Sequence, residues 1–210
     1  MRTRALVIIA KEPKAGEMKT KFTPEHTSEA SAKLYVCFLK DIFGLAGSIL
    51  NADYFISYYP EDADDFLSHP VSGSIKLRPS QSKSKSIGDR LRNAFAELFK
   101  SDYREVIIMD SDIPQLPMGY IDEAFRLLAE HDVVIGLSGD GIYQVIGLST
   151  YREDIFEDIA WDQNTVLQET MARIQDANLR VAILPQWDDA YMISNWYRVL
   201  REVRGREDQG

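Results

Sequence analysis

The segment EVIIMDSDIP, residues 105–114, gives the clearest structural signal in the sequence. It contains the apolar run Val106 to Met109, which is the pattern of a strand buried on both faces. The run ends in the polar triplet Asp110-Ser111-Asp112. In a parallel sheet covered by helices, ligands bind beyond the carboxyl ends of the strands. The triplet therefore marks a candidate site as well as the end of a strand.

On both sides of this segment, apolar runs of the same kind alternate with segments of helical periodicity. Strands are predicted at residues 5–10, 54–58, 74–77, 105–109, 133–136, 142–148 and 181–184. Helices are predicted at residues 28–46, 62–67, 87–99, 118–129, 164–174 and 193–203. This alternation predicts an α/β fold with a mostly parallel central sheet covered on both faces. No linker or second apolar core is visible, so residues 1–210 are expected to form one domain.

Composition excludes several classes of protein. The chain has 210 residues, of which 45% are apolar and 27% charged, as in ordinary globular proteins. The net charge of -9 argues against binding to nucleic acid, which requires a basic surface. No apolar run is long enough to span a membrane, so a cytoplasmic protein is expected. The single cysteine, Cys37, excludes an internal disulfide, and its place on the apolar side of a predicted helix predicts a buried thiol.

The charges are distributed unevenly along the chain. Residues 1–40 carry a net charge of +4 and residues 76–104 carry +5, whereas residues 105–210 carry -12. One interpretation is that the two basic segments bind an anionic ligand while acids in the second half bind a metal ion. The other is that the helix faces simply differ in composition.

The loop after the first strand is rich in lysine. It runs from residue 10 to residue 21, and its candidate ligand-binding residues are Ala10, Lys11, Pro13, Gly16, Lys19 and Lys21. Cationic side chains and exposed backbone N–H groups suit such a loop to a diphosphate. It has neither the spacing of a P-loop nor the glycines of a dinucleotide-binding fingerprint. An ordinary solvated loop is the alternative.

The acids after the strand at residues 105–109 are candidate metal ligands. Alternate residues of an extended segment point the same way, so Asp110 and Asp112 can converge on one divalent cation. Oxygen ligands of this kind suit Mg²⁺ or Mn²⁺. Asp189 could complete the metal shell from the other side, or it could begin the last helix. A simple turn is the alternative for Asp110 and Asp112.

Five blocks together resemble a known transferase family. In order they are AKEPKAGEMKTKFTP, SIGDRLRNAFAELF, IIMDSDIPQLP, DVVIGLSGDGIYQVIGL and IAWDQNTVLQET. They are similar to the selenodomain-associated glycosyltransferase-like proteins, from about residue 10 to residue 189. That family has the GT-A fold, a Rossmann-like α/β/α sandwich of the nucleotide-diphospho-sugar transferases. The same superfamily includes guanylyltransferases that act on phospholactate and on the molybdenum cofactor.

The resemblance implies roles for individual residues. The loop at residues 10–19 would wrap the nucleotide, with Lys19 near the phosphates as a catalytic residue, and Asp110 would support Asp112 as the main metal ligand. The residues implied near the base or ribose are Gly88, Asp89 and Arg90. The residues implied at the acceptor are Asp140, as the catalytic carboxylate, together with Gly141, Tyr143 and Trp161. Asp162 and Thr165 match a further block, in which Asp162 is expected to cap a helix.

Two departures from the family pattern fall in these blocks. Lys21 stands where the family usually has arginine, so the charge is kept but the bidentate fork for phosphate is lost. Ile142 stands where the family usually has a second glycine. Its bulk is expected to limit how closely an acceptor can approach.

These observations favour a metal-dependent transferase that moves a sugar from a nucleotide-sugar to a small-molecule acceptor. In the alternative, a phosphorylated small molecule attacks a nucleoside triphosphate and pyrophosphate leaves. Both reactions need a metal-bound phosphate chain, and the single glycine of the first loop favours sugar transfer. A non-catalytic nucleotide-binding protein is the third possibility. Partners are therefore expected to be small molecules, with no nucleic acid and no membrane.

Overall fold

A computed structural model describes residues 3–15, 28–48, 51–60, 75–79, 86–111, 113, 116–137, 142–161 and 163–186. Its strands are β1 (Arg4–Lys11), β2 (Asp53–Tyr59), β3 (Ile75–Pro79), β4 (Glu105–Asp110), β5 (Val133–Leu137), β6 (Tyr143–Leu148) and β7 (Val181–Leu184). Its helices are α1 (Ser28–Ser48), α2 (Ile87–Lys100), α3 (Met118–Leu128) and α4 (Val166–Asp176), with a short 3₁₀ helix at Asp154–Phe156. Each of these strands and α-helices lies within two residues of its predicted position.

The seven strands form one sheet in the order β3-β2-β1-β4-β6-β5-β7. All neighbouring pairs are parallel except those of β6, which is antiparallel to both β4 and β5. The predicted α/β fold with a mostly parallel sheet is thus confirmed. The prediction of a single domain over residues 1–210 extends beyond the described residues and stays a prediction.

Both faces of the sheet are covered by helices. In β1 the alternation places Leu6 and Ile8 in the core beneath α1 and α3, and it places Val7 and Ile9 in the core beneath α2 and α4. Every residue of β1 from Ala5 to Ala10 is buried. Burial on both faces explains why the sequence shows a continuous apolar run here rather than an alternating one.

The structure corrects one prediction about α1. Cys37 is exposed, not buried. The buried stripe of α1 runs through Tyr35, Phe38, Leu39 and Ile42. Cys37 is two residues from both Tyr35 and Leu39, about 200° around the helix, so it faces away from the sheet.

Two predicted helices, at residues 62–67 and 193–203, lie outside the described residues. Within the described part of the chain, no helix is both long enough and apolar enough to cross a membrane. The 3₁₀ helix at Asp154–Phe156 was not predicted, because its two apolar residues are too few to show a period. Both Ile155 and Phe156 are nevertheless buried against the sheet.

Candidate functional site

A cleft of about 590 Å³ opens at the carboxyl ends of β1 and β4. Lys11 and Asp110, the last residues of these neighbouring parallel strands, both line it. Because β6 is antiparallel to β4, its first residues lie at the same edge, and Tyr143 and Gln144 line the cleft too. The remaining walls come from the first turn of α2 and from the segment before α4. Segments far apart in sequence therefore meet at one edge of the sheet.

A hydrogen-bonded chain links the ends of β1 and β4. The Lys11 backbone N–H donates to Tyr35 Oη at 3.1 Å, and Tyr35 Oη lies 2.6 Å from Ser111 Oγ. The Ser111 backbone N–H in turn donates to Asp110 Oδ1 at 2.7 Å. Tyr35 and Ser111 are both buried, so each hydroxyl satisfies the other in the absence of bulk water. This chain holds one oxygen of the Asp110 carboxylate at the strand end.

Arg90, in the first turns of α2, presents a buried cation to the cleft. The residue is only 5% exposed, and its Nε and Nη1 atoms have no hydrogen-bond partner among the described residues. Its guanidinium carbon lies 5.9 Å from the centre of the Tyr59 ring, within the range of a cation–π contact. Burial lowers the pKa of Arg90, while the nearby Asp110 carboxylate acts in the opposite direction. The guanidinium stays charged at any physiological pH, so its Nε and Nη1 donors are suited to an anionic or acceptor group.

Aromatic side chains form part of the cleft wall. Trp161 stacks on Phe156 with 6.3 Å between ring centres, and it meets Tyr143 edge-on at 6.4 Å. Its indole also packs directly on Gly88, where an added Cβ atom would lie within 2.8 Å of Nε1, Cε2 and Cδ1. Burial raises the pKa of Tyr143, whose hydroxyl accepts a 3.5 Å hydrogen bond from Thr170. The Tyr143 hydroxyl therefore stays protonated near neutral pH, and its ring forms part of the cleft wall.

The described residues of the predicted site divide into two groups. Those that line the cleft are Lys11, Arg90, Asp110, Tyr143 and Trp161. Those that do not line it are Ala10, Pro13, Gly88 and Asp89. Of the second group, Ala10 belongs to the core on the other face of the sheet, and Gly88 lies directly behind Trp161.

Asp89 is engaged elsewhere, since its carboxylate accepts a 2.7 Å ion-paired hydrogen bond from Arg92. The other predicted site residues lie outside the described residues. They are Gly16, Lys19, Lys21, Asp112, Asp140, Gly141, Asp162 and Asp189. Thr165 precedes α4 at its N-cap position, without a capping hydrogen bond from its side chain.

Sequence reasoning missed two members of the site, Tyr35 and Ser111. Tyr35 was not singled out among the residues of the predicted helix at residues 28–46, and Ser111 was treated as a spacer between two acids. A buried tyrosine hydroxyl needs a hydrogen-bond partner. The signal for Tyr35 was therefore its place on the buried stripe of a helix that directly follows a candidate ligand-binding loop. Ser111 offered no such signal, since its burial depends on the neighbouring strand and helix.

The predicted metal site can be tested only in part. Asp110 supplies a half-buried carboxylate at the cleft, which suits a hard divalent cation. Within the described ranges, no group of three or more acidic, histidine or cysteine side chains is placed to hold a metal ion. Asp112 and Asp189, the other two predicted ligands, lie outside those ranges. The metal site therefore stays a prediction, to which Asp110 is chemically suited.

Comparison with known proteins places the chain in a family. A family model described as uncharacterized protein conserved in bacteria, DUF2064, matches residues 46–163, more than half of the chain. The chain belongs to the DUF2064 family. The match spans the strands β2 to β6 and the first turn of α2, and so includes most of the cleft lining.

Relatives with described activities are transferases. The chain is 26% identical over 188 residues to a 2-phospho-L-lactate guanylyltransferase of Methanocaldococcus jannaschii, which covers 90% of this chain and 75% of that protein. A provisionally named nucleotide-diphospho-sugar transferase from Desulfovibrio desulfuricans G20 has a similar crystal structure. Its TM-score is 0.85 at 27% identity, and the match covers 100% of this chain and 98% of that one. The expectation of a transferase is thereby confirmed.

A more distant structure is similar in fold alone. The 4-diphosphocytidyl-2C-methyl-D-erythritol synthase from Anaerococcus prevotii matches with a TM-score of 0.60 at 11% identity, over 96% of this chain and 97% of that one. Together these structures confirm the implied fold, that of the nucleotide-diphospho-sugar transferases.

Proposed function

We propose that this DUF2064 protein is a nucleotidyltransferase, which binds a nucleoside triphosphate in the cleft and transfers its nucleotide to a phosphorylated small molecule. The observation that carries the proposal is the buried guanidinium of Arg90, whose Nε and Nη1 lack partners among the described residues. A folded protein rarely leaves a buried charge unpaired unless a ligand completes it. The similarity to a guanylyltransferase over 90% of the chain favours nucleotidyl transfer over other uses of the site.

The charges of the cleft suit a chain of phosphates. Lys11 supplies a cation from β1, and Arg90 supplies a second from α2. The N-terminus of α2 also borders the cleft through Ser86 and Ile87, and the helix dipole adds partial positive charge there. These groups can bind the phosphates and stabilise the charge that develops on the leaving group.

In the proposed reaction, an oxygen of the acceptor phosphate attacks the α-phosphorus of the triphosphate. The bond from the α-phosphorus to the oxygen that bridges to the β-phosphate breaks, and pyrophosphate leaves with that bond's electron pair. Lys19 is proposed to stabilise the pyrophosphate. Asp140 is proposed to position the acceptor, because an ionised acceptor phosphate needs no general base.

Mg²⁺ or Mn²⁺ is the proposed cofactor, held by Asp110 together with Asp112 and Asp189. When bound there, the cation would neutralise charge on the triphosphate. The hydrogen bond from the Ser111 backbone N–H to Asp110 Oδ1 leaves Oδ2 of that carboxylate for the cation. Tyr35 and Ser111 are proposed to hold the carboxylate in place.

Sugar transfer from a nucleotide-sugar is the second candidate function. It is favoured by the 0.85 TM-score to the provisionally named nucleotide-diphospho-sugar transferase. Both functions use the same nucleotide-binding groups and differ in which bond breaks. Sugar transfer breaks the bond between the sugar and the diphosphate, and so releases no pyrophosphate.

The test is to incubate the protein with Mg²⁺ or Mn²⁺ and each nucleoside triphosphate in turn, with 2-phospho-L-lactate as the first acceptor. Release of pyrophosphate that depends on both triphosphate and metal is expected. Turnover of a nucleotide-sugar without pyrophosphate release would instead establish the second function. A protein that binds neither class of nucleotide would contradict both.

Arg90→Met tests the observation that carries the proposal. Loss of a charge-assisted hydrogen bond is expected to weaken triphosphate binding by about 10-fold to 100-fold. The free energy of unfolding without ligand should change little, because the removal of the desolvated Nε and Nη1 donors offsets the loss of the contact with Tyr59. Arg92→Met is the matched control, since Arg92 is on the same helix but pairs with Asp89. Equal nucleotide affinity in the Arg90 and Arg92 variants would refute the role of Arg90.

A further inference from the structure

Strand β6 carries a β-bulge at the point where it borders the cleft. Its pairing with β5 passes from Gly136 and Val145 directly to Leu137 and Tyr143. Gln144 is therefore an extra residue on β6, with no counterpart on β5. Bulges of this kind re-aim a side chain, and they are common beside active sites.

The bulge brings two consecutive side chains to the cleft. Tyr143 and Ile146 belong to the same core cluster although they are three residues apart, whereas Val145 belongs to the cluster on the other face of the sheet. In a regular strand, residues 143 and 146 would point to opposite faces. Because of the bulge, Tyr143 and Gln144 both line the cleft. Gln144 is only 8% exposed, so its carboxamide is largely removed from bulk water.

Gln144 lies beside the Asp110 carboxylate. The antiparallel register of β4 and β6 pairs Met109 with Val145. One further step along this register places Gln144 opposite Asp110, and both residues line the cleft. The Cβ atoms of facing residues in such a pair lie about 5 Å apart. A side chain as long as that of glutamine can therefore reach a ligand group that is next to Asp110.

Gln144 also lies where the charged part of the cleft ends. Among the described lining residues, the charged side chains are those of Lys11 on β1, Asp110 on β4 and Arg90 on α2. The described lining residues from β6 and from residues 159–161 are uncharged. A carboxamide has two N–H donors and an oxygen that accepts. Gln144 is therefore suited to a polar ligand group that lies beyond the phosphates.

We propose that Gln144 is a specificity-determining residue, which donates a hydrogen bond to an oxygen substituent of the phosphorylated acceptor. The identity of this ligand as the acceptor rests on the proposed nucleotidyl transfer. In that reaction the attacking oxygen must come within about 3–3.5 Å of the α-phosphorus, next to the cation proposed at Asp110. The nucleobase is further away, because the whole ribose separates it from the α-phosphate. The oxygen substituent can be a hydroxyl or a carboxylate, since both accept a hydrogen bond from an amide.

The test is calorimetric titration of the full-length protein, in the presence of Mg²⁺, with three phosphates of similar size. Ethyl phosphate has no second oxygen group, hydroxyethyl phosphate carries a hydroxyl, and phosphoglycolate carries a carboxylate. A hydrogen bond from Gln144 should make the hydroxyl compound bind about 2-fold to 10-fold more tightly than ethyl phosphate, or the carboxylate compound by more than that. Equal affinities for all three phosphates would overturn the proposal.

Gln144→Met tests the residue itself, because methionine has a similar length and no amide. The preference over ethyl phosphate should disappear, while the affinity for ethyl phosphate stays close to that of the unchanged protein. A structural role alone would weaken the binding of all three phosphates equally, and that result would overturn the proposal. Gln175→Met is the matched control, because Gln175 on α4 is exposed and does not line the cleft.

Gln144→Glu distinguishes the two sources of the oxygen. A glutamate carboxylate accepts a hydrogen bond from a hydroxyl, but it repels another carboxylate. A preference for the hydroxyl compound should therefore persist in this variant, whereas a preference for phosphoglycolate should become a penalty. A preference for phosphoglycolate that survived Gln144→Glu unchanged would contradict the proposed contact.

The outcomes separate this inference from the proposed function. If pyrophosphate is released but the three phosphates bind equally well, the inference fails while the function stands. If the preference for an oxygen substituent depends on Gln144 but no triphosphate binds, the contact stands and nucleotidyl transfer fails. If Gln144→Met weakens the binding of triphosphate alone, the residue contacts the nucleotide and the inference is wrong.

Discussion

Gly88, which lies directly behind Trp161, is expected to tolerate a methyl group poorly. A Cβ atom on residue 88 would lie within 2.8 Å of three atoms of the Trp161 indole. Non-bonded heavy atoms pack at about 3.5 Å or more, whereas Nε1 would lie at 2.1 Å, so the ring must move by more than an ångström. That movement disrupts its stacking on Phe156 and its edge contact with Tyr143. Overpacking of this kind costs about 1–3 kcal/mol.

Gly119 provides a matched control for Gly88→Ala. Each is the second residue of its helix, but a Cβ atom on Gly119 would have no atom within 4 Å. Gly119→Ala should therefore be neutral or stabilising by up to about 1 kcal/mol, from helix propensity alone. Thermal unfolding can measure the difference in stability between the two variants, because 1 kcal/mol corresponds to a change of about 2–4 °C in Tm at this chain length.

A double-mutant cycle isolates the contact with Trp161. In a Trp161→Ala background, Gly88→Ala should lose most of its cost, because the clashing ring is gone. The explanation would be refuted if Gly88→Ala were as well tolerated as Gly119→Ala. It would also be refuted if the cost persisted in full without the indole.

Three further predictions concern other parts of the chain. Arg180 donates hydrogen bonds to the Asp132 carboxylate and thereby lowers its pKa. The stabilisation of the folded state by these bonds is therefore present above the unfolded pKa of about 3.9, and it is lost as the pH falls through the lower folded pKa. Asp132→Asn should therefore lower the Tm at pH 7 and have little effect at pH about 2. Tyr35→Phe leaves the buried Ser111 hydroxyl without its 2.6 Å partner. The free energy of unfolding, measured with urea, should fall by about 1–3 kcal/mol. A fall of less than about 0.3 kcal/mol would contradict that hydrogen bond. Cys37 is exposed and should react with a thiol reagent in the native protein, and protection until unfolding would show that it is covered.

The fold could be predicted because its strands are short apolar runs bounded by polar residues. The strand β7 was predicted with its observed bounds, and β4 differs from its prediction by one residue. The direction of β6 could not be predicted, because an apolar run looks the same in a parallel and an antiparallel neighbour. The face of α1 was predicted less well, because that helix has more apolar residues than one stripe can bury.

The candidate site could be predicted where charged side chains lie at the carboxyl end of a strand. Lys11 and Asp110 were both identified in this way, and both line the cleft. The pairing of Tyr35 with Ser111 joins residues 76 positions apart, and no local pattern indicates such a contact. The lack of partners for Arg90 Nε and Nη1 among the described residues is also a tertiary property, since it depends on which other elements surround the first turns of α2.

The antiparallel strand β6 has a consequence for how this scaffold can change. A parallel neighbour of β5 would need a crossover connection across a face of the sheet, whereas an antiparallel neighbour can be joined directly. The link from Leu137 to Tyr143 thus begins and ends at the edge where the cleft opens. Its length and side chains can vary without moving a covering helix or the strand that carries Asp110. The rim of the cleft between β5 and β6 and the strand end that carries Asp110 are in this way separate parts of one sheet.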